Sequence, residues 1–375
     1  MTSRISNLQI ALLSGNFVVS TTIVSVPQAL IDLSMQNTWV IPPLLFGYIF
    51  VLVTIALWGF KKVKNYDGIW GGNHLLARGT ALLVLVFLFH ILARDLRTIT
   101  NFTKHVLLPL TPGFVITMLF VLSILYIAWA GIEVIARFTE LYFLYLIIIM
   151  IFLPLSLIPQ IELSRFEPVL GLGTIPSILQ SGFIGLASAG ELIVFILVIT
   201  MVKPIGDARR SFILGGAIGM FMLSVMIFSQ ISVLSAVITS FSLYPSYQLV
   251  QQIRLTEFLD RLDLVIVSFY YPSVFAKMAF SLYGIHRCLE IVLNKKSRLQ
   301  LVPLALLAGV MSIALFKNPI HNYTFEIFTW ATLGLMLELL IAVMFAVLIW
   351  RIRRKEKHSP GQQSAGSSES PGHFG

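Results

Sequence analysis

Long apolar stretches dominate this chain of 375 residues, and they restrict it to a lipid bilayer. A helix needs about 20 apolar residues to span a bilayer. Ten such spans can be marked along the sequence, at about residues 8–31, 39–60, 79–100, 113–132, 139–159, 178–201, 212–240, 263–285, 300–316 and 326–350. Only 11% of the residues are charged, whereas soluble domains carry about 25%. The sequence therefore predicts an all-α integral membrane protein and excludes an ordinary soluble enzyme.

The distribution of Lys and Arg predicts the orientation of these spans. If the N-terminus is cytoplasmic, 18 of the 26 Lys and Arg residues fall on the cytoplasmic side and seven on the other side, while Lys277 lies within a span. Cytoplasmic loops carry an excess of positive charge, so both termini are expected in the cytoplasm. The basic residues punctuate apolar stretches instead of forming a stripe, so nucleic-acid binding is not expected. Residues 356–375 are predicted to form a disordered cytoplasmic tail.

Two spans contain polar interruptions at corresponding places. Ten spans divide into two repeats of opposite orientation, about 8–159 and 178–350, which together form one domain, 1–355. Span 1 contains a segment from Gly15 to Thr22, and span 6 contains one from Gly182 to Glu191. Small and polar residues at matching places in inverted repeats are typical of broken helices around a binding site. The alternative is that these residues only allow helices to pack closely.

Three charged residues within the spans are candidate functional residues, because an intramembrane charge needs a partner or a water-filled cavity. Arg94 shares a helix face with Thr98, and either binds an anionic group or extends to the headgroups while Asp95 caps a neighbour. Glu191 either contacts a ligand amine, carries a proton or ties helices together. Lys277 pairs with a carboxylate, occupies the position of a cation, or extends toward the cytoplasm. Glu191 and Lys277 are the predicted coupling or gating residues.

The sequence contains no motif that indicates an enzyme. It has no phosphate-binding Walker loop, dinucleotide fingerprint, HExxH zinc motif or GxSxG nucleophile motif. The single cysteine, Cys288, excludes an internal disulfide and a thiolate metal cage. We therefore expect a non-enzymatic protein without cofactor or metal.

Three segments resemble the spore germination permease family, the B subunits of nutrient germinant receptors in endospore-forming bacteria. They are Ala130 to Leu141, Leu108 to Pro112, and Pro245 to Gly284, and they occur in the order of the family. The resemblance extends to about residue 355. It implies the amino acid/polyamine/organocation superfamily and a LeuT-like fold of ten helices, with a five-plus-five inverted repeat and broken helices 1 and 6.

The resemblance also implies a function, a location and partners. Family members detect small nutrients, such as amino acids or sugars, and trigger germination from the spore inner membrane. They act with an A-type membrane subunit and a C-type lipoprotein subunit. The expected function is therefore a germinant-sensing membrane subunit. The alternatives are a proton-coupled amino-acid secondary transporter and a structural subunit that only anchors its partners.

By position in the family, the resemblance implies a pocket between broken helices 1 and 6. The implied lining residues are Gly15, Ser20, Thr21, Thr22, Arg94, Thr98, Leu186, Ala187, Ser188, Gly190, Tyr271 and Phe275. Related permeases often have glycine where Ser20, Thr21 and Thr22 stand here. The hydroxyls favour a sugar or an amide over a carboxylate held by backbone N–H groups.

Overall fold

The fold is almost entirely helical. The computed structural model describes residues 4–22, 26–64, 66, 68–71, 75–171, 173–253, 263–316 and 318–358. Its α-helices are α1 (Asn7–Thr22), α2 (Val26–Ser34), α3 (Ile41–Ala56), α4 (Gly68–Gly71), α5 (Leu75–Phe102), α6 (Gly113–Ala130), α7 (Ile132–Ser156), α8 (Thr174–Ala189), α9 (Ala208–Leu234), α10 (Ala236–Phe241), α11 (Pro245–Gln251), α12 (Asp263–Leu293), α13 (Leu301–Leu315), α14 (Pro319–Thr324) and α15 (Ala331–His358).

Shorter elements of tighter or wider helical geometry join these helices. Segments of 3₁₀-helix cover Met35–Val40, Phe60–Lys62, Ile158–Gln160, Leu163–Phe166, Gly190–Leu197, Ile199–Met201, Ile205–Asp207 and Arg298–Gln300. Two π-helical turns cover Thr103–Leu107 and Phe325–Trp330. The eight-residue segment Gly190–Leu197 is long for a 3₁₀-helix, and such stretches often mark hinges.

The helices form a bundle suited to a membrane. Eight helical stretches in the described part of the chain are long and apolar enough to cross a bilayer: Val26–Lys62, Leu75–Leu107, Gly113–Ala130, Ile132–Ser156, Thr174–Leu197, Ile205–Leu234, Arg298–Leu315 and Pro319–Lys357. Large apolar side chains on the bundle surface, such as Leu141, Phe241 and Phe328, are mostly exposed. An apolar perimeter of this kind is stable in lipid and costly in water. The protein is therefore an all-α integral membrane protein.

Predicted spans 1 and 8 are not among these eight stretches. Predicted span 1 is divided between α1 and α2, and α1 has only 16 residues. Predicted span 8 coincides with α12, which is 31 residues long and contains Lys277. Both segments are present as helices, and the count of ten crossings stays a prediction. The last helix, α15, continues to His358, so residues 356–358 of the predicted tail are helical, and residues 359–375 lie outside the described residues.

A two-stranded parallel ladder joins the N-terminus to the middle of the chain. Strand β1 (Ile5–Ser6) pairs with β2 (Val202–Lys203), with Ile5 opposite Val202. Strand β1 precedes α1, and β2 follows Gly190–Leu197. The start of predicted span 1 and the end of predicted span 6 therefore lie at the same end of the bundle. This agrees with an even number of crossings between them.

The interruptions of spans 1 and 6 lie at the ends of the two polar segments that the sequence marks. The segment from Gly15 to Thr22 is α-helical, and α1 ends at Thr22. The segment from Gly182 to Ala189 is also α-helical, and the change to 3₁₀ geometry begins at Gly190. Gly15 and Gly182 themselves continue regular helices, whereas span 6 changes its geometry at Gly190, within the predicted segment from Gly182 to Glu191.

The glycines of α1 and α9 allow these two helices to pack closely. The contact between α1 and α9 is among the largest helix contacts in the bundle. A Cβ on Gly15 would lie 3.1 Å from the carbonyl oxygen of Gly215, and a Cβ on Gly219 would lie 2.7 Å from Cβ of Val18. A Cβ on Gly215 would overlap with the hydroxyl of Ser14 and the carbonyl oxygen of Ala11. Small residues at such contacts are the usual way in which helices associate closely in membranes.

This contact predicts that Gly215→Ala destabilises the protein. The added methyl group meets backbone atoms of α1, and overpacking of this kind costs about 1–3 kcal/mol. Thermal unfolding of the purified protein in detergent should show a lower midpoint. The matched control is Gly182→Ala, because no atom lies within 4 Å of a Cβ at Gly182, and the loss of a helical glycine there should be neutral or stabilising. Equal midpoints for the two variants would contradict the close packing of α1 and α9.

Candidate functional site

Four charged side chains from three segments meet in the interior of the bundle. Arg94 donates a hydrogen bond to Oε1 of Glu191, while Nζ of Lys277 donates to Oε2 of Glu191 at 2.7 Å. Nζ of Lys277 also lies 3.0 Å from Oδ2 of Asp95. Arg94 lies 3.6 Å from Oδ1 of Asp95. We call these four residues the charge cluster, and their formal charges balance.

The charge cluster and a neighbouring hydroxyl group connect four parts of the chain. Arg94 and Asp95 are adjacent in α5, Lys277 lies at the middle of α12, and Glu191 is the second residue of the 3₁₀ segment Gly190–Leu197. The hydroxyl of Thr21, in the last turn of α1, accepts a hydrogen bond from Lys277 and lies 3.3 Å from Oε2 of Glu191. The cluster thus connects both interrupted spans to α5 and α12.

Aromatic rings cover the two cations. The guanidinium carbon of Arg94 lies 4.8 Å from the centre of the Trp330 ring, and Nζ of Lys277 lies 4.9 Å from the centre of the Phe17 ring. The faces of such rings attract cations, and the attraction is stronger away from water. The ring of His90 also stacks on Trp330, with the two ring centres 4.6 Å apart.

Burial makes the balance of charge in the cluster important. The side chains of Arg94, Glu191 and Lys277 are each only 1% exposed, and that of Asp95 is 11% exposed. The cost of removing two charges from water is offset only when they pair with good geometry. Loss of one member leaves an uncompensated charge and costs about 3–5 kcal/mol. The sequence singled out Arg94, Glu191 and Lys277, whereas Asp95 entered only as a cap in one of the two alternatives for Arg94.

A narrow cleft lies beside the charge cluster. It is lined by Ser20, Thr21, Arg94, Asp95, Thr98, Tyr270, Val274, Lys277 and Glu326. The centre of a water molecule can move through only about 10 Å³ of it, which is room for about one water. A second cavity, with about 30 Å³ of such space, shares Thr98 and Glu326 with the cleft and is also lined by Gln28, Asn101 and Asn322. The second cavity therefore lies next to the cleft and is bounded by residues of α2 and α14.

Some of the implied pocket residues line this cleft. Ser20, Thr21, Arg94 and Thr98 are among its walls. The predicted coupling residue Lys277 is another wall residue, and Glu191, the other one, contacts both Arg94 and Lys277. The side chain of Thr22 lies outside the described residues. Asn322 donates a hydrogen bond of 2.9 Å to the hydroxyl of Thr98, which fixes the position of Thr98 between the two cavities.

The structure places two other implied residues, Tyr271 and Phe275, on a different face of α12. The hydroxyl groups of Tyr271 and Thr103 are 2.6 Å apart, and the rings of Tyr271 and Phe275 both contact Phe120 of α6. The cleft instead receives Tyr270 and Val274. The spacing of α12 could have shown this, because residues three, four and seven apart share one helix face, and Tyr270, Val274 and Lys277 have that spacing.

The remaining implied pocket residues contact other helices. Gly15 faces Gly215 of α9, and Ala187 faces Gly334 of α15. Ser188 is buried, Leu186 is partly buried, and Gly190 lies against Glu338 and Tyr48. None of these five residues is among the walls of the cleft. Glycine and alanine here allow α8 to approach α3 and α15.

The charge cluster predicts that the stability of the protein depends on charge balance more than on any single residue. Lys277→Met should lower the free energy of unfolding by about 3–5 kcal/mol, because two carboxylates then share one cation. The double variant Lys277→Met/Asp95→Asn removes one charge of each sign and should recover most of the lost stability. Thermal unfolding in detergent measures both. Additive losses in the double variant would contradict the proposed coupling between these two residues.

Known proteins with similar sequences are spore germination proteins. The chain is 30% identical to the Bacillus subtilis (strain 168) protein YfkT, which is named as a spore germination protein, over 87% of this chain and 89% of that protein. It is 26% identical to spore germination protein KB of the same organism, over 76% of this chain and 78% of that protein.

Solved structures with a similar fold are transporters. The nucleobase-cation-symport-1 family transporter Mhp1, in a closed conformation with bromovinylhydantoin bound, superposes with a TM-score of 0.57 at 11% identity, over 95% of this chain and 94% of Mhp1. A Na⁺-coupled sialic acid symporter in a substrate-bound outward-open state superposes with a TM-score of 0.53 at 13% identity, over 90% of both chains. These likenesses establish the LeuT-like fold.

A family model described as spore germination protein matches residues 4–322. This match covers the charge cluster and most of the bundle. The expectation drawn from the three sequence segments is therefore confirmed, and the chain belongs to the spore germination permease family.

Proposed function

We propose that this chain is the germinant-sensing membrane subunit of a spore nutrient receptor. It binds a small nutrient, an amino acid or a sugar, in the cleft beside the charge cluster. The observation that carries the proposal is the position of this cleft, where the end of α1, the 3₁₀ segment of span 6, α5 and α12 meet at balanced buried charges. Family membership supplies the link to germination.

The chemistry of the cleft supports a small polar ligand. Its walls offer the hydroxyls of Ser20, Thr21 and Thr98, together with the guanidinium of Arg94 and the carboxylate of Asp95. The ring of Tyr270 adds an apolar wall. Such a set can bind both charged ends of an amino acid or the hydroxyl groups of a sugar.

The size of the cleft supports a mechanism in which binding changes the arrangement of the helices. Room for about one water molecule is too little for a nutrient, so binding requires the walls to separate. A nutrient that binds the wider arrangement more tightly shifts the population toward it, by at most its difference in affinity. The A-type and C-type subunits of the receptor, in the spore inner membrane, would respond to that arrangement.

A second candidate function is a proton-coupled amino-acid secondary transporter. Its support is the fold, because both solved structures of similar fold are transporters. The two functions differ in whether the chain alone accumulates a solute. Uptake of labelled amino acids into vesicles containing only this chain, with and without a proton gradient, distinguishes them. Accumulation would favour the transporter, and binding without accumulation would favour the receptor.

The proposed receptor function predicts that spores lacking this chain lose their response to one or two nutrients. The measurement is germination of deletion spores against a panel of amino acids, sugars and nucleosides, with the restored gene as control. An unchanged response to the whole panel would contradict the proposal as stated.

Two neighbouring tyrosines test the position of the proposed pocket. Tyr270→Phe removes a hydroxyl from a wall of the cleft, and Tyr271→Phe removes one from the face toward Thr103. We expect Tyr270→Phe to raise the nutrient concentration for half-maximal germination by about tenfold, the effect of one lost hydrogen bond. Tyr271→Phe is the matched control and should change it by less than about threefold. The reverse order of effects would place the pocket on the other face of α12.

A further inference from the structure

Outside the charge cluster, another acidic side chain is completely buried in the bundle. Glu338 lies in α15 and is completely buried. The hydroxyl of Tyr48, in α3, donates a hydrogen bond of 2.7 Å to Oε2 of Glu338. Its other oxygen, Oε1, is buried and has no hydrogen-bond partner among the described residues. This carboxyl group therefore has one neutral partner in place of the four or so that a carboxylate can accept.

The groups that face Glu338 do not neutralise a negative charge. Tyr48 on α3 is uncharged, and Glu191 on the 3₁₀ segment is itself an anion. Arg94 on α5 is paired with Glu191. In the described part of the chain, no Lys, Arg or His forms an ion pair with Glu338. An isolated carboxylate in such surroundings costs many kcal/mol, and the usual outcome is that the group binds a proton.

One oxygen of Glu338 is closely packed against Gly190 and Tyr48. Glu338 Oε2 occupies the space where a side chain of Gly190 would be, because a Cβ there would overlap with it. The same Cβ would lie 2.9 Å from Cε1 of Tyr48. A sodium ion needs several oxygen ligands around it, and the arrangement supplies two side chains only. A proton needs no such set of ligands, so it fits this arrangement.

We infer that Glu338 is a proton-binding site of this protein, occupied in the arrangement seen here and separate from the charge cluster. Glu338 contacts Gly190, where α8 gives way to the 3₁₀ segment. The next residue, Glu191, holds Arg94 and Lys277 at the cleft. A movement that widens the cleft by displacing this segment also exposes Glu338 to water. Exposure lowers the cost of the ionised form, so the proton leaves as the cleft widens.

Proton binding at Glu338 and ligand binding in the cleft are expected to oppose each other. The proton binds the narrow arrangement more tightly, so a fall in pH stabilises that arrangement and opposes any ligand that requires the wider one. If one proton is released for each binding event, the ligand concentration for half-maximal response rises up to tenfold for each unit that the pH falls. This second step rests on the proposed function, whereas the proton on Glu338 does not.

Infrared spectroscopy of the full chain in lipid vesicles tests the proton directly. The C=O stretching band of a protonated carboxyl group is distinct from the bands of carboxylates. We expect such a band near neutral pH in the wild type and its loss in Glu338→Gln, a neutral side chain of the same shape. Tyr48→Phe should keep the band but move it to higher frequency, because the hydrogen bond is lost. The matched control, Glu140→Gln, removes an exposed carboxylate that accepts from Gln9 and should leave the band unchanged.

The infrared spectra test the proton site, and the nutrient response tests its linkage to ligand binding, so each can be contradicted independently. A band that persists unchanged in Glu338→Gln would overturn the proton site, whatever the nutrient experiments show. If Glu338 is the linked group, Glu338→Gln spores should need more nutrient and lose the tenfold dependence on pH. An unchanged pH dependence in this variant would overturn the linkage. If Glu338→Gln loses the band in vesicles but wild-type spores respond to no nutrient through this chain, the proton site is supported and the receptor function is contradicted.

Discussion

The pairing of two cations with two carboxylates inside the bundle is the interaction on which the rest of this structure depends. Arg94 and Lys277 both contact Glu191, and Lys277 also contacts Asp95. None of these charges is stable alone at such burial, so α5, α12 and the 3₁₀ segment of span 6 must come together for any of them to be buried. The cluster therefore fixes the relative positions of these segments. Three of its members, Arg94, Asp95 and Lys277, also line the cleft.

The packing around the cluster explains how such a centre can change. The helices that surround it meet through glycine contacts, as at Gly215 on α9 and Gly190 beside α15. By contrast, the segments that hold Thr21 and Glu191 end or change helical geometry at that point. Because the surrounding helices are tightly packed, movement can be confined to the two interrupted segments at the centre. The proton on Glu338 would add a term that depends on pH to the same movement.

Much of the fold and part of the site could be predicted from the sequence, and the physical reasons differ. The long apolar spans and the rarity of charge predict a membrane bundle, because a segment that spans lipid must be helical and mostly apolar. Arg94, Glu191 and Lys277 stand out, since an intramembrane charge is costly wherever it lies. Their pairing depends on which helices are neighbours, which a single sequence does not contain. Asp95 was therefore not singled out as a member of the cluster.

The remaining differences concern local geometry. Glycine is compatible both with a broken helix and with a close helix contact, and at Gly15 and Gly182 the helix continues. On α12, the helical period of 3.6 residues places Tyr270 and Val274 on the face of Lys277, and the positions implied by family resemblance were one residue away. The period is the more reliable guide there, because one residue along a helix turns a side chain by about 100°.

The most direct test of this account is ligand binding by the purified chain, measured by calorimetry with the nutrient that the germination panel identifies. The comparison is between the wild type and Lys277→Met/Asp95→Asn, which keeps the charge balance but removes two groups beside the cleft. The account predicts saturable binding to the wild type and at least tenfold weaker binding to the folded double variant. Equal affinity for both proteins would mean that the ligand binds elsewhere and would contradict the central role of the charge cluster.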